Sequence, residues 1–292
     1  MNSGEVKALL VNPPALSLAP LPNAPTLSRA TGDLLREIQI VDERGERQAI
    51  CVPNERPLTV LLDDRELVTL MTLGAAPEWL VIGYLRNQRL IGDLGALESI
   101  AVNWATGTAR VQSRGMRALA PGRATAATAT TACALGTVFG DVMAQTQGIV
   151  LPPVDTARIS RSALLSVLET VRSHDDVHRA AGSVHGCSLF QAADLWVGVE
   201  DVSRHNGIDT ITGWMALHGV SGADKVLFTT GRLTGEMVMK AAFNGIPIMV
   251  TRNGVTAMGY DLAMRLGMTL FGRAANRRYM CYAGAQRFDS TS

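Results

Sequence analysis

The sequence predicts an α/β protein with a smaller β-rich unit on its N-terminal side. The first observation is the alternation of strand-like and helix-like segments from Lys225 to Phe271, in a β-α-β-α-β order with short connections. That order implies parallel strands joined by right-handed crossovers. The second is the series of short alternating segments in residues 35–115, which is typical of hairpins. Apolar residues make up 47% of the chain, enough for a sizeable core.

Composition divides the chain into four predicted parts. Residues 1–34 are rich in proline and are expected to form an irregular arm, and residues 35–116 are expected to form the β-rich domain. Residues 117–136, rich in Ala, Thr and Gly, are expected to form a flexible loop that contains a cysteine. Residues 137–292 are expected to form the α/β domain, which is the part expected to bind a ligand.

Alternating apolar residues place several elements in the β-rich domain. Pro77 suits the first turn of a helix. Cys51 lies within a strand pattern and is expected to be a small buried apolar residue. The predicted elements are two hairpins, one helix and a further pair of strands: Glu37–Asp42 with Gln48–Val52, Leu58–Leu62 with Leu67–Leu73, Pro77–Leu85, and Leu97–Val102 with Thr108–Val111.

The α/β domain shows helical periodicity and clear helix ends. Ser160 is expected to cap an amphipathic helix that runs to Arg172. Gly267 is expected to end the last helix. The other predicted elements alternate along the chain: strand Lys225–Thr230, helix Gly235–Phe243, strand Ile246–Val250, helix Thr256–Leu266 and strand Met268–Phe271.

The stretch from Glu200 to Asp209 concentrates acidic, basic and amide side chains. It follows the apolar run Leu195–Val199 and precedes another apolar run, which predicts a strand end, a polar loop and then a helix. Open α/β sheets bind ligands at the carboxyl ends of their strands. Surface ion pairs within the stretch are the alternative, and the residues leave both open.

Two arginines follow predicted parallel strands directly. Arg232 and Arg252 are expected at the edge where anionic ligands bind, and Thr230-Gly231 before a helix offers backbone N–H groups to a phosphate. The basic segment Arg273–Arg278 is expected to bind an anion if it lies at that edge, or to be a solvated loop otherwise. The sequence contains neither a GxGxxG nor a Walker pattern. It therefore predicts a phosphate-bearing ligand, but not one of the nucleotide-binding folds that these patterns mark.

Composition and the cysteines restrict the other possibilities. A net charge of +1 and 5% aromatic residues argue against a nucleic-acid partner, and no apolar run approaches the length of a membrane span. The N-terminus lacks the pattern of a secretory signal, so a cytoplasmic location is expected. Cys133, on a polar loop before a predicted helix at Val138–Thr146, is either a reactive thiol or an incidental cysteine. His185, among small residues, is either a catalytic or ligand-binding group or a satisfied buried histidine.

An ordered series of motifs over residues 35–285 resembles the FdhD family, the formate dehydrogenase accessory sulfurtransferases. The motifs that carry the resemblance are Gly182-Ser-Val-His185, Glu200-Asp-Val-Ser-Arg-His-Asn206 with Asp209, Gly231-Arg232, Lys240-Ala-Ala242 and Gly245-Ile-Pro247. The resemblance implies a cytidine-deaminase-like core, a homodimer, and partners that include a cysteine desulfurase and formate dehydrogenase. The implied activity is transfer of persulfide sulfur to the molybdenum bis(molybdopterin guanine dinucleotide) cofactor, bound as substrate.

The resemblance implies roles for individual residues. Cys133 falls where the family has the first cysteine of a Cys-x-x-Cys loop and would carry the persulfide, but Gly136 replaces the second cysteine. Family patterns also have glycine where this chain has Ser183 and Ser203. The expected cofactor-binding residues are Arg273, Ala274, Ala275, Asn276, Arg277, Arg278, Arg232, Arg252, His185, Arg204, His205, Asn206 and Asp209.

Two alternatives to sulfur transfer follow from the same residues. Zinc deaminases require H-x-E and P-C-x-x-C, whereas His185 is followed by Cys187 and the chain has no close cysteine pair, so a zinc hydrolase is not expected. Because Gly136 removes one thiol, a chaperone that binds the molybdenum cofactor or a guanine nucleotide without sulfur chemistry is the second hypothesis.

Overall fold

A computed structural model describes residues 8–11, 20–115, 127–129, 146 and 148–291. The helices are α1 (Pro77–Asn87), α2 (Arg161–His174), α3 (Asp176–Ala181), α4 (Arg204–Leu217), α5 (Gly235–Phe243) and α6 (Ala257–Leu266). The strands are β1 (Leu9–Val11), β2 (Thr26–Leu27), β3 (Leu35–Val41), β4 (Arg47–Pro53), β5 (Arg56–Leu62), β6 (Arg65–Thr72), β7 (Leu97–Asn103), β8 (Thr108–Ser113), β9 (Ala127–Ala129), β10 (Ile159–Ser160), β11 (His185–Gln191), β12 (Asp194–Asp201), β13 (Lys225–Thr229), β14 (Ile248–Thr251), β15 (Thr269–Ala275), β16 (Arg278–Ala283) and β17 (Phe288–Asp289).

The predicted β-rich elements are confirmed. Strands β3 and β4 form a separate two-stranded sheet, while β5–β8 join β2 and β9 in a six-stranded sheet. The β5–β6 hairpin turns at Asp63 and Asp64, which both have positive φ angles, as a tight hairpin turn requires. Helix α1 begins with Pro77, where the missing N–H costs nothing.

A further sheet has seven strands in the order β1-β12-β11-β13-β14-β15-β16. Strands β13, β14 and β15 are parallel, as predicted, whereas β11 and β12 form an antiparallel hairpin beside them. Helix α5 connects β13 to β14, and helix α6 connects β14 to β15. The predicted α/β fold class, with a β-rich N-terminal part, is confirmed.

Both faces of this sheet are buried. Helix α2, capped by Ser160 as predicted, packs Leu164 and Val167 against one face, where Phe228 and Val250 lie. On the opposite face the sheet packs against apolar residues of α4, α5 and α6. Because side chains alternate along each strand, consecutive residues of β13 and β14 belong to different cores.

Helix α4 connects the six-stranded and the seven-stranded sheets by packing closely against α1. A Cβ atom placed on Gly83 would lie 1.6 Å from the backbone oxygen of Asp209, and one on Gly213 would lie 1.9 Å from that of Trp79. These positions require glycine because the two backbones touch there. Helix α4 is therefore buried between the sheets, with Trp214 only 1% exposed.

Two details differ from the sequence prediction. The polar loop predicted for Glu200–Asp209 is wrong, because β12 continues to Asp201 and α4 begins at Arg204. The expected arm contains two short strands in its described part, of which β1 pairs with β12 and β2 with β7. The four-part division of the chain remains a prediction. None of the helices in the described ranges is long and apolar enough to cross a membrane.

Candidate functional site

The candidate site lies at one edge of the seven-stranded sheet. The parallel strands β13 and β14 end there. The antiparallel register pairs Cys187 with Thr229 and His185 with Asp201, so β11 begins and β12 ends at the same edge. This topology brings together the ends of four neighbouring strands, as is usual for ligand sites in α/β sheets.

Strands β13 and β14 end in turns held by threonine hydroxyls. Thr229 Oγ1 accepts a hydrogen bond from Gly231 N at 3.1 Å, and Thr251 Oγ1 accepts one from Asn253 N at 3.0 Å. Thr251 Oγ1 also donates to Gly231 O at 2.6 Å. Side-chain bonds of this kind fix a turn two residues ahead, so the residues after both strands have defined positions.

His185 lies at the start of β11, beside the end of β13. Its Nδ1 atom is 3.3 Å from Thr230 Oγ1, and the same hydroxyl accepts a hydrogen bond from Gly186 N at 3.0 Å. Burial lowers the pKa of His185, and the positive charges of Arg204 and Arg232 lower it further. His185 is therefore held as a neutral imidazole at neutral pH.

Arg204, the first residue of α4, packs over the turn after β13. A Cβ atom on Gly231 would lie 2.6 Å from Arg204 Cδ, so the arginine stem occupies the space that a larger residue would need. Ser203 caps the helix, and its hydroxyl accepts a hydrogen bond from His205 N at 3.2 Å. With an extended φ angle of −122°, Ser203 does not need the conformational freedom of glycine.

Arg232 and Arg252 both lie just beyond the ends of their strands, as predicted, but in different surroundings. Arg232 is exposed, and in the described part of the chain its guanidinium has neither a carboxylate nor a hydrogen-bond partner. Arg252 forms an ion pair with Asp175, at the junction of α2 and α3. Arg232 is therefore the more available cation for an anionic ligand.

The segment Arg273–Arg278 forms the hairpin between β15 and β16. Arg273 N donates to Asn253 O at 2.7 Å, which places the start of this hairpin at the candidate edge. Asn276 and Arg277 form the turn, with positive φ angles. The side chains of Arg273, Arg277 and Arg278 are exposed, whereas Ala274 is buried in the core. Burial leaves Ala274 poorly placed as a cofactor contact.

The polar residues of Glu200–Asp209 do not act as one cluster. Glu200 accepts hydrogen bonds from the first backbone N–H groups of α3, and Asp201 accepts one from Thr72 Oγ1 at 2.6 Å. Asn206 donates to Asp201 at 2.8 Å and to Met71 O at 2.7 Å. Burial raises the pKa of Glu200 to about 7 and that of Asp201 to about 6. These side chains connect secondary-structure elements, and the contacts of Asn206 do not favour its predicted role as a cofactor contact.

Asp209 is also buried and belongs to a charged network. Its carboxylate accepts hydrogen bonds from Lys240 Nζ at 2.9 Å and from Asn87 Nδ2 at 2.6 Å, which joins α4 to α5 and α1. Glu236 Oε1 lies 3.8 Å from Lys240 Nζ and 3.5 Å from His205 Nδ1. Burial lowers the pKa of His205 to about 3, and Lys240 and Arg204 act in the same direction. His205 therefore stays neutral, while Asp209 supports the helix and does not face the edge.

The cysteines have different environments. Cys133, the predicted persulfide carrier, and the helix predicted after it at Val138–Thr146 lie outside the described residues, apart from Thr146. Cys187 is fully buried, and burial raises its pKa to about 12. Cys51 is half-buried, which fits the expected structural role only in part, and Cys281 is exposed. Cys187 is therefore unsuited to nucleophilic chemistry.

A cavity of about 600 Å³ lies at the other end of α4. Its walls include Leu27, Trp79, Leu217 and His218, and its one acidic side chain, Glu78, already accepts hydrogen bonds from the chain. Among the described residues, the cavity lining contains one arginine, Arg29, whereas the strand-end edge brings together Arg204 and Arg232 beside His185. The edge, and not this cavity, is the candidate site.

Two features of the edge were not predicted. The first is the repeat of the threonine turns at constant spacing, which is visible in the sequence. Its corresponding residues are Thr229 and Thr251, Leu233 and Val255, and Thr234 and Thr256. The contact of Asp175 with Arg252 is not visible there, since the two residues are far apart along the chain.

Comparisons with known proteins agree on one family. The model of the FdhD/NarQ family matches residues 53–289. The sulfur carrier protein FdhD of Bacillus pumilus is 24% identical over 87% of this chain and 97% of its own length. The sulfur carrier protein FdhD of Nocardia farcinica is 29% identical over 82% of this chain and 88% of its own length.

A solved structure has the same fold. It is the crystal structure of a protein from Desulfotalea psychrophila assigned as a formate dehydrogenase accessory protein. The two structures match with a TM-score of 0.69 and 24% sequence identity, over 87% of this chain and 98% of the other. At that identity the match supports the fold alone.

Proposed function

The chain belongs to the FdhD/NarQ family, and we propose that it is a sulfur carrier protein that supports a formate dehydrogenase. The names of its relatives support this proposal. The structural observation that carries it is the strand-end edge, where the exposed Arg232 lies beside His185 and Arg204. Such an edge suits a ligand with several phosphate oxygens.

The proposed sulfur carrier residue is Cys133. Its thiolate attacks the outer sulfur of a persulfide on a cysteine desulfurase, which forms a persulfide on Cys133 and releases the thiolate of the desulfurase. In the second step the bond between the two sulfur atoms breaks and Cys133 leaves as a thiolate. The two electrons that reduce the transferred sulfur to sulfide come from the molybdenum centre of the substrate, which is oxidised by two electrons. This exchange needs one thiol, so the presence of Gly136 in place of a second cysteine does not prevent it.

The proposed substrate is the molybdenum bis(molybdopterin guanine dinucleotide) cofactor. Arg232, Arg204 and Arg252 are the proposed contacts of its phosphates, with Arg273 at the same edge. Guanidinium groups bind phosphate oxygens through two parallel hydrogen bonds. The neutral His185 can donate or accept a hydrogen bond there without adding charge. A cytoplasmic location and a homodimer are part of the proposal.

Intact-protein mass spectrometry tests sulfur loading. The full chain is incubated with a cysteine desulfurase and cysteine, and compared with Cys133→Ala, Cys187→Ala and Cys281→Ala. We expect one added sulfur atom, lost only in Cys133→Ala. Cys281→Ala is the control for an exposed thiol, and Cys187→Ala for a buried one.

The same experiment decides between the two hypotheses. If no adduct forms, or if it disappears with another cysteine, Cys133 is not the carrier. The absence of the second loop cysteine favours the alternative in that case, a chaperone that binds the cofactor without sulfur chemistry. A Cys133→Ala variant that still fully activates formate dehydrogenase would also support the chaperone.

A further inference from the structure

Arg232 and Arg252 follow neighbouring strands, three residues after Thr229 and one residue after Thr251. Among the described residues a carboxylate pairs with Arg252 and none with Arg232. The partner is Asp175, whose side chain is 13% exposed, while that of Arg252 is 33% exposed. Both members of the pair are therefore largely shielded from solvent, and salt screens their attraction less than it would on the surface.

Asp175 is held in place at the candidate edge. Its backbone oxygen accepts a hydrogen bond from Arg179 N at 3.0 Å, at the start of α3. A Cβ atom on Gly186 would lie 3.2 Å from Asp175 Oδ1, so the carboxylate packs against the residue that follows His185. The next residue, Asp176, instead pairs with Arg179. Of these two neighbouring carboxylates, that of Asp175 is the one that pairs with an arginine of the candidate edge.

A carboxylate in this position opposes an anionic ligand in two ways. It repels negative charge, and it occupies guanidinium donors that bind carboxylate and phosphate oxygens in the same manner. A phosphate with two or more negative charges can displace it more readily than a monoanion can.

We propose that Asp175 is an internal competitor for the anionic ligand of the edge: it holds Arg252 until a phosphate group displaces it, and so favours ligands with several negative charges. This inference rests on the proposed function for its ligand class. Asp175 acts through Arg252 and is not itself a ligand contact.

Isothermal titration calorimetry on the full chain tests the proposal, with guanosine diphosphate and inorganic pyrophosphate as probes. We expect Asp175→Asn to bind both probes about fivefold more tightly, the order expected when one like charge is removed close to a partly screened phosphate. Asp176→Asn, the matched control, removes the same charge one residue further on and should leave the affinity unchanged.

A double-mutant cycle shows whether the effect passes through Arg252. Arg252→Gln should weaken binding, and adding Asp175→Asn to it should give a clearly smaller gain than in the native chain, because only the direct repulsion is then removed. Thermal unfolding verifies that each variant is folded, and Asp175→Ser repeats the test with a smaller neutral side chain.

Three results would overturn the proposal. Weaker or unchanged binding in both Asp175 variants would mean that Asp175 positions Arg252 or has no effect on binding. A gain of the same size without Arg252 would show that Asp175 does not act by holding that arginine. If neither probe binds any variant, the edge is not a diphosphate site. Persulfide loading of Cys133, measured on the same samples, reports on sulfur transfer separately.

Discussion

Two consecutive units of the α/β part are built alike but surrounded differently. The first comprises β13, its turn and α5, and the second comprises β14, its turn and α6. Each strand ends at a threonine whose hydroxyl holds the following turn. Leu233 and Val255 pair as a parallel bridge, and both helices are followed by a glycine with a positive φ angle.

The surroundings of the two helices differ. Helix α5 packs against α4 and contains Lys240, which is 3% exposed and paired with Asp209. Helix α6 has Leu262 at the position of Lys240 and exposes Tyr260 and Met264. In both units the threonine at the strand end fixes the turn. The element packed against the following helix decides whether that helix can bury a charged side chain.

The largest difference between the units should be the effect of the buried ion pair. Asp209→Ala leaves Lys240 buried without its closest counter-charge, and we expect a loss of about 3–5 kcal/mol in the free energy of unfolding. Urea denaturation followed by circular dichroism measures the change.

A double variant tests whether the charge is the cause. Asp209→Leu with Lys240→Leu makes the first helix resemble the second. It should recover most of the lost stability because neither member of the buried pair is left without its partner, and Glu236, the other carboxylate near Lys240, is 30% exposed to solvent. A double variant as unstable as Asp209→Ala would show that packing or the bond to Asn87, and not the charge, explains the loss.

Each of the two turns contains one glycine, at positions that differ by one residue between the units. A Cβ atom on Gly231 would overlap the side chain of Arg204, whereas one on Gly254 would meet nothing within 4 Å. We expect Gly231→Ala to cost about 2 kcal/mol of stability by forcing Arg204 aside, and Gly254→Ala to change stability by less than about 0.5 kcal/mol.

Nucleotide binding provides a second measurement on the two glycine variants. If Arg204 contacts the ligand, Gly231→Ala should also weaken the binding of guanosine diphosphate, whereas Gly254→Ala should not. Equal effects of the two alanines on stability would contradict the close packing of Arg204 over Gly231.

The two units also show what the sequence could predict. Both strands, both helices and the arginines after the strands were predicted, because apolar periodicity and terminal residues are local signals. The loop predicted at Glu200–Asp209 was wrong because pairing with β11 extends β12 to Asp201, and because α4 is buried between two sheets with its polar side chains inside. The contact of Asp175 with Arg252 depends on how α2 and α3 lie against the sheet, which no local pattern records.

A pH titration tests the charges beside the first unit. His205 contacts Glu236 of α5, and burial lowers its pKa to about 3 from an ordinary value of 6.5. Between these pH values the unfolded chain binds a proton that the folded chain does not. The contribution of His205 is therefore fully present above pH 6.5 and is lost as the pH falls.

Comparison with a variant isolates this contribution. Between pH 7 and pH 5.5, the native chain should lose about 1 kcal/mol more of its unfolding free energy than His205→Gln does. Denaturant titrations at the two pH values measure this difference. Parallel losses in the two proteins would show that His205 is not held neutral beside Glu236.

The smallest expected difference concerns the threonines that begin the two helices. Thr256 Oγ1 accepts a hydrogen bond from Gly259 N at 3.2 Å, whereas Thr234 makes no side-chain cap and its hydroxyl is buried without a partner in the described part of the chain. Thr256→Ala should cost about 1 kcal/mol, the usual loss for a helix cap. Thr234→Ala should cost less, because it removes a buried hydroxyl that makes no hydrogen bond. Thermal unfolding of the two variants gives the comparison directly, and a larger loss for Thr234→Ala would mean that this hydroxyl has a partner in the folded protein.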